Sequence, residues 1–81
     1  MNEKEFYENA DHRWEILSEK VDRYGEHSWR NMSKHTALKL GLHRLEEVLM
    51  QFNDNGFVDI DNLIDAMNFC DFVLRKELEV E

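Results

Sequence analysis

Apolar residues recur at spacings of three and four through three stretches of this sequence, and no proline interrupts any of them. That period places side chains on one face of an α-helix, whereas a strand would need alternation. In the first stretch Phe6, Ala10, Trp14, Leu17, Val21 and Tyr24 share a face, and the positions between them are mostly charged. Gly25 follows where a left-handed helix cap is expected, because glycine takes positive φ without a Cβ penalty. The second stretch starts after Ser33, a good N-cap. Its stripe is Leu38, Leu42, Leu45, Leu49 and Phe52, with Ala37, Leu40, Gly41 and Val48 beside it. Gly41 costs a helix interior about 1 kcal/mol relative to alanine, so close approach of another backbone is expected there. Asn53-Asp54-Asn55-Gly56 reads as a turn. The third helix starts near Asp59 or Asp61 and carries Ile60, Leu63, Ile64, Met67, Cys70, Leu74 and Leu78, with Phe69, Phe72 and Val73 widening the stripe. A helix apolar over so much of its circumference touches more than one neighbour.

These patterns predict one all-α domain spanning 1–81, with helices over about 3–24, 33–52 and 60–79. A chain of 81 residues buries only about 60% of the surface it exposes when unfolded. The expectation is therefore a homo-oligomer, with dimerisation completing a four-helix-type bundle or a larger assembly forming.

Composition excludes several classes. The single Cys70 cannot form an intramolecular disulfide, and the four histidines do not complete a paired zinc pattern. No stretch approaches the roughly 20 apolar residues of a membrane span, so no membrane partner is expected. The charged start Met1–Glu5 lacks the apolar run of a signal peptide, and a cytoplasmic location is the expectation. A net charge of -8 argues against direct nucleic-acid binding, although an acidic protein can mimic DNA phosphates.

The charges are segregated. Residues 28–44 hold Arg30, Lys34, Lys39 and Arg44 with no acid, and residues 45–72 hold seven acids with no base. The plain reading is two helices that neutralise each other side by side. The functional reading is carboxylates gathering a divalent cation while nearby bases hold the phosphates it bridges.

Asp61, Asp65 and Asn68 are spaced i, i+4, i+7 and share a helix face, a row able to supply oxygen ligands to Mg²⁺ or to stand as a solvated surface. Glu46 and Glu47 end the preceding helix, and in an antiparallel hairpin one of them can face Asp61 and Asp65. Carboxylates that close repel unless a cation intervenes. Adjacent Glu46 and Glu47 point roughly 100° apart, so they cannot serve one site equally. Lys39 and Arg44 are the better phosphate candidates because they stay charged at neutral pH, whereas His35 and His43 read as structural or solvated. Trp29 serves either the core or stacking on a nucleobase. The stretch 51–62 lies on an EF-hand loop with Gly56 in place, but Gln51 and Asn62 stand where that loop needs carboxylates, so calcium is not expected.

Taken together, Lys20-Val-Asp-Arg-Tyr24-Gly25-Glu-His-Ser28-Trp29-Arg30, then Lys39 and Arg44-Leu45-Glu46, then Asp61-Asn-Leu-Ile-Asp65-Ala-Met-Asn68-Phe69 resembles the small phage and bacterial nucleotide modification associated domain. That domain is similar to MazG-like all-α nucleoside triphosphate pyrophosphohydrolases. The resemblance covers roughly residues 20–76. It implies an oligomeric helical fold that binds a nucleotide with Mg²⁺ held by carboxylates of two helices. Glu46 or Glu47 would match the acid of the first such helix, and Asp61 and Asp65 those of the second, with Asn68 alongside. The pyrophosphohydrolases carry Glu-x-x-Glu and Glu-x-x-Asp pairs; here His43 stands three before Glu46, and the second pair reads Asp61-x-x-x-Asp65. The expectation is Mg²⁺-dependent nucleotide binding through Lys39, Arg44, Asn68 and Trp29. Metal would lie on Glu46, Glu47, Asp61 and Asp65. Cleavage of a nucleoside triphosphate, if it occurs, would use Glu46, Glu47 and Asp65. The alternative is a small acidic phage-type interaction or inhibitor protein, without catalysis, that engages a basic partner surface.

Overall fold

The computed structural model describes residues 1–24 and 31–79. It shows three helices, α1 (Glu3–Tyr24), α2 (Lys34–Asn55) and α3 (Ile60–Glu79), and no strand among the described residues. The fold is all-α, as the periodicity requires. Gly25 and Trp29 lie outside the described residues, as does the side chain of Tyr24.

The helix ends follow from local chemistry. Ser33 caps α2 by accepting the Thr36 N–H on its Oγ at 3.1 Å, which satisfies one of the orphan donors of the first turn. At the other end α2 runs to Asn55, one turn beyond the expected 52. Asn53, Asp54 and Asn55 are helical, and the turn is made by Gly56 at φ 74°, whose N–H reaches Phe52 O at 2.9 Å. The left-handed glycine, rather than the polar tripeptide before it, stops the helix. Asp59 caps α3 by accepting the Asn62 N–H at 3.1 Å. Asp61 therefore sits inside the first turn of α3, where its charge suits the helix dipole.

The central element is α3, which packs on both α1 and α2. The α2–α3 hairpin is closest at Gly41, where an added Cβ would stand 3.3 Å from Phe69 Cβ and 3.5 Å from Ala66 O. Gly41 thus pays its helix penalty for close backbone approach, as the sequence suggests.

The core differs from the expected one. Among the described residues its buried apolar side chains are Ala37, Val48, Ile64 and Ala66, and no large side chain is fully enclosed. α2 turns Ala37, Gly41 and Val48 toward α3. The longer stripe of Leu38, Leu42, Leu45, Leu49 and Phe52 is rotated away and stays 48–58% exposed. Small residues permit the tight hairpin, and the leucines are left outside it. In α1, Ala10, Leu17 and Val21 are half-buried, while Phe6 and Trp14 are exposed.

Candidate functional site

Burial of polar groups singles out one place. Among the described residues Asp65 and Asn68 are the buried polar ones, at 9% and 6% exposure. A carboxylate or amide removed from water is costly unless it is partnered, so the partners define the site. Both come from α1. Lys20 Nζ donates to Asp65 Oδ1 as an ion pair. Arg13 Nε donates to Asn68 Oδ1 at 3.3 Å, and Asn68 Nδ2 donates back to Arg13 O at 3.4 Å. The Arg13 guanidinium also reaches Asp71 Oδ2 at 3.1 Å. Arg13 and Lys20 are seven apart on α1, and Asp65, Asn68 and Asp71 recur every three residues along α3, so two matching polar rows join the helices.

Next to this junction lies a cleft of about 970 Å³ between α1 and the second half of α3. Trp14, Leu17 and Val21 form one side, and Phe72 forms the other with Asn68 on its wall. Lys76 lies at the rim, with Nζ 5.0 Å from the Phe72 ring centroid and 2.9 Å from Met32 O. Arg75, also on the lining, is paired with Glu79 at 2.7 Å.

The carboxylates expected to gather around a metal are dispersed. Asp65 is engaged by Lys20 on the α1 side of α3. Glu47, rather than Glu46, faces α3 across the hairpin, yet it meets Asn62 Nδ2 at 3.4 Å and not Asp61 or Asp65. Its other contacts are His43 Nε2 at 2.9 Å and Arg44 at 3.6 Å. Glu46 and Asp61 are exposed. Among the described residues no three His, Cys, Asp or Glu side chains come together as a metal-holding group. So placed, these residues do not fit Mg²⁺, which needs carboxylates free to ligate it alongside water and phosphate oxygens. Hairpin geometry turns only Glu47 inward, so the carboxylates are not crowded together as a shared cation would require.

Of the expected nucleotide contacts, Asn68 alone lines the cleft; Lys39 is exposed on α2 and Arg44 is half-buried beside Glu47. Trp29 falls outside the described residues. Reasoning from sequence missed Arg13, Lys20, Trp14, Phe72 and Lys76. Lys20 belongs to the segment that carries the resemblance, and its i, i+7 relation to Arg13 was the available signal. Trp14 and Phe72 were absorbed into apolar stripes, where periodicity does not separate a cleft wall from core. No helix among the described residues is long and apolar enough to cross a membrane. Comparison with protein-family models, curated proteins and solved structures gives no match.

Proposed function

We propose that this chain binds a nucleotide in the α1–α3 cleft. The observation that carries the reading is the cleft itself: aromatic side chains on both helices, a buried amide on the wall and a lysine at the rim. Its volume lies within the roughly 300–1,000 Å³ of small-molecule sites, and its apolar walls are edged by Asn68, Asp71, Arg75, Lys76 and Glu79. A base would stack on Trp14, which is 61% exposed and free to offer a ring face. Asn68 spends one amide hydrogen and one acceptor on Arg13, which leaves it a second N–H to read a base edge. Lys76, with no carboxylate partner among the described residues, would meet phosphate. Asp65 and Asn68, which carry the resemblance to the nucleotide modification associated domain, meet Lys20 and Arg13 beside this cleft. The site requires no protein-bound Mg²⁺, and the reading is one of binding rather than cleavage.

A panel of ribo- and deoxynucleoside triphosphates, each with and without Mg²⁺, tests it by thermal shift, with pyrophosphate assayed in the same wells. A ligand at 100 times its Kd stabilises by about 2.7 kcal/mol, a rise of roughly 10–20 °C for a domain of this size. Trp14→Ala should abolish the shift while leaving the ligand-free Tm nearly unchanged. No shift with any nucleotide overturns the reading. Pyrophosphate release that depends on Mg²⁺ would overturn the binding-only form of it.

A second reading is favoured by a different surface. Residues 45–66 carry six acids and no lysine or arginine, and Glu46, Asp54 and Asp61 among them are exposed. That end of the hairpin suits a basic protein partner, and salt-sensitive binding of a lysine-rich peptide, unaffected by Trp14→Ala, would support it.

A further inference from the structure

The chain exposes more total surface than a folded monomer of its size should. Its accessible area is 6485 Å² for 9.8 kDa, against roughly 5,200 Å² for a folded monomer of that mass. The excess of about 1,300 Å² exceeds the roughly 800 Å² that each partner contributes to an ordinary stable interface. Its radius of gyration, 13.7 Å, likewise exceeds the roughly 11.7 Å of a compact 81-residue domain. Exposed apolar side chains line one face of the α2–α3 hairpin. Leu38, Leu42, Leu45, Leu49 and Phe52 succeed one another at intervals of 4, 3, 4 and 3. That is the 3.5-residue repeat of a helix seam built to meet another helix. Beside it runs a groove of about 680 Å³ shared with Met67 and Leu74 of α3.

Charge identifies what covers this face. α2 has no acid in its first turn and no base in its last, and it opens on Lys34 and closes past Asp54. It is therefore charged against its own dipole, an arrangement that costs stability unless opposite charges lie alongside. Glu77 of α3 meets Lys34 and Glu47 meets Arg44, and Lys39 has no acid partner among the described residues. Within the hairpin, residues 31–44 hold Lys34, Lys39 and Arg44 with no acid, whereas residues 45–66 hold only acids. The surface that complements such a face is the same face turned end for end.

We infer that the exposed apolar face of the α2–α3 hairpin is covered by a second copy of this chain, docked antiparallel through α2. A two-fold axis between residues 43 and 44 sets Leu42 against Leu45 of the second copy and Leu38 against Leu49. It also brings exposed Lys39 of each copy beside exposed Glu46 of the other, and lays each acidic hairpin end over a basic one. A parallel pairing would instead set Lys39 near Lys34 and stack the acidic ends together. The contact is isologous, so it closes at two copies. It uses α2, away from the α1–α3 cleft, and stands whether or not a nucleotide binds there.

Sedimentation of the full chain across a concentration series tests this. The wild type should sediment as twice 9.8 kDa. Lys39→Glu and Glu46→Lys should each weaken the dimer about 3- to 30-fold, since each disturbs two symmetric pairs at the rim. The double variant, in which the two charges are exchanged, should return to within about twofold of wild type, since the pairs are then restored with reversed sign. Leu42→Asp should yield the 9.8 kDa species, and if that variant does not fold the exchange experiment still decides. A wild type that stays at 9.8 kDa at every concentration overturns the inference. So does a dimer indifferent to the charge variants, or one that Lys39→Glu strengthens, as parallel pairing requires.

Discussion

Lys20→Met and Asp65→Asn remove the two ends of one ion pair, and they should not cost the same. The Asp65 side chain is 12% exposed and the Lys20 side chain 34%. Breaking a fully buried pair by removing one partner costs about 3–5 kcal/mol, most of it from the charge left behind. Water reaches the lysine side of this pair, so solvent screening reduces that figure. With Lys20→Met, a buried carboxylate is left without its cation, and a cost of about 2 kcal/mol is expected. With Asp65→Asn the amide still accepts a hydrogen bond, and a stranded lysine can swing its flexible stem toward water. The expected cost is under about 1 kcal/mol. Because about 1 kcal/mol shifts Tm by roughly 4–8 °C in a domain of this size, Lys20→Met should melt roughly 8–16 °C lower and Asp65→Asn only a few degrees lower. Urea unfolding of the two variants and of their combination, all at one protein concentration, completes a double-mutant cycle and removes any contribution from association. Equal costs, or a larger cost for Asp65→Asn, would show that Asp65 is solvated and that the pair does not justify its burial.

Other perturbations follow from the helix ends and the hairpin. Asp59→Ala should destabilise by about 1–2 kcal/mol, since it removes the α3 cap and the 3.1 Å contact from Asn62 Nδ2, and chemical denaturation reads this directly. Gly56→Ala places a Cβ at φ 74° and should cost about 1 kcal/mol through conformation alone, because no atom lies within 4 Å of the added group. At Gly41 the order of substitutions is diagnostic. Alanine gains about 1 kcal/mol of helix propensity against a 3.3 Å contact with Phe69 Cβ and should leave Tm within a few degrees, whereas Gly41→Val should lose about 2–3 kcal/mol by wedging the hairpin apart. A valine variant as stable as wild type would show that the α2–α3 spacing gives way easily.

Part of the site could be read from the chain and part could not. Asp65 and Asn68 belong to the row with Asp61 that the spacing places on one helix face, and among the described residues they are the two polar side chains the fold buries. Their partners are not legible there because they are remote: Lys20 lies 45 residues from Asp65, and Arg13 lies 55 from Asn68. Spacing on one helix reports which residues share a face. It carries no information about which helix that face will meet. Glu46 and Glu47 show the same limit, since their 100° separation was evident but the rotation of α2 that turned Glu47 inward was set by Gly41 and Ala37 packing against α3.

The sequence by itself determined the helices, the glycine that stops α2 and the serine and aspartate caps, because these depend on backbone hydrogen bonds and side chains within four residues of one another. It also determined that α2 bears a leucine seam and an inverted charge gradient, which are properties of the linear order. Tertiary structure alone decided that the small residues of α2, and not its leucines, face α3. The reason is distance: at Gly41 the two helices come too close for a side chain larger than a methyl group, so the bulky stripe has no room inside the hairpin and is left to meet something else. The same packing decided that Asp65 is paired with Lys20, because only the docking of α1 on α3 brings those charges together.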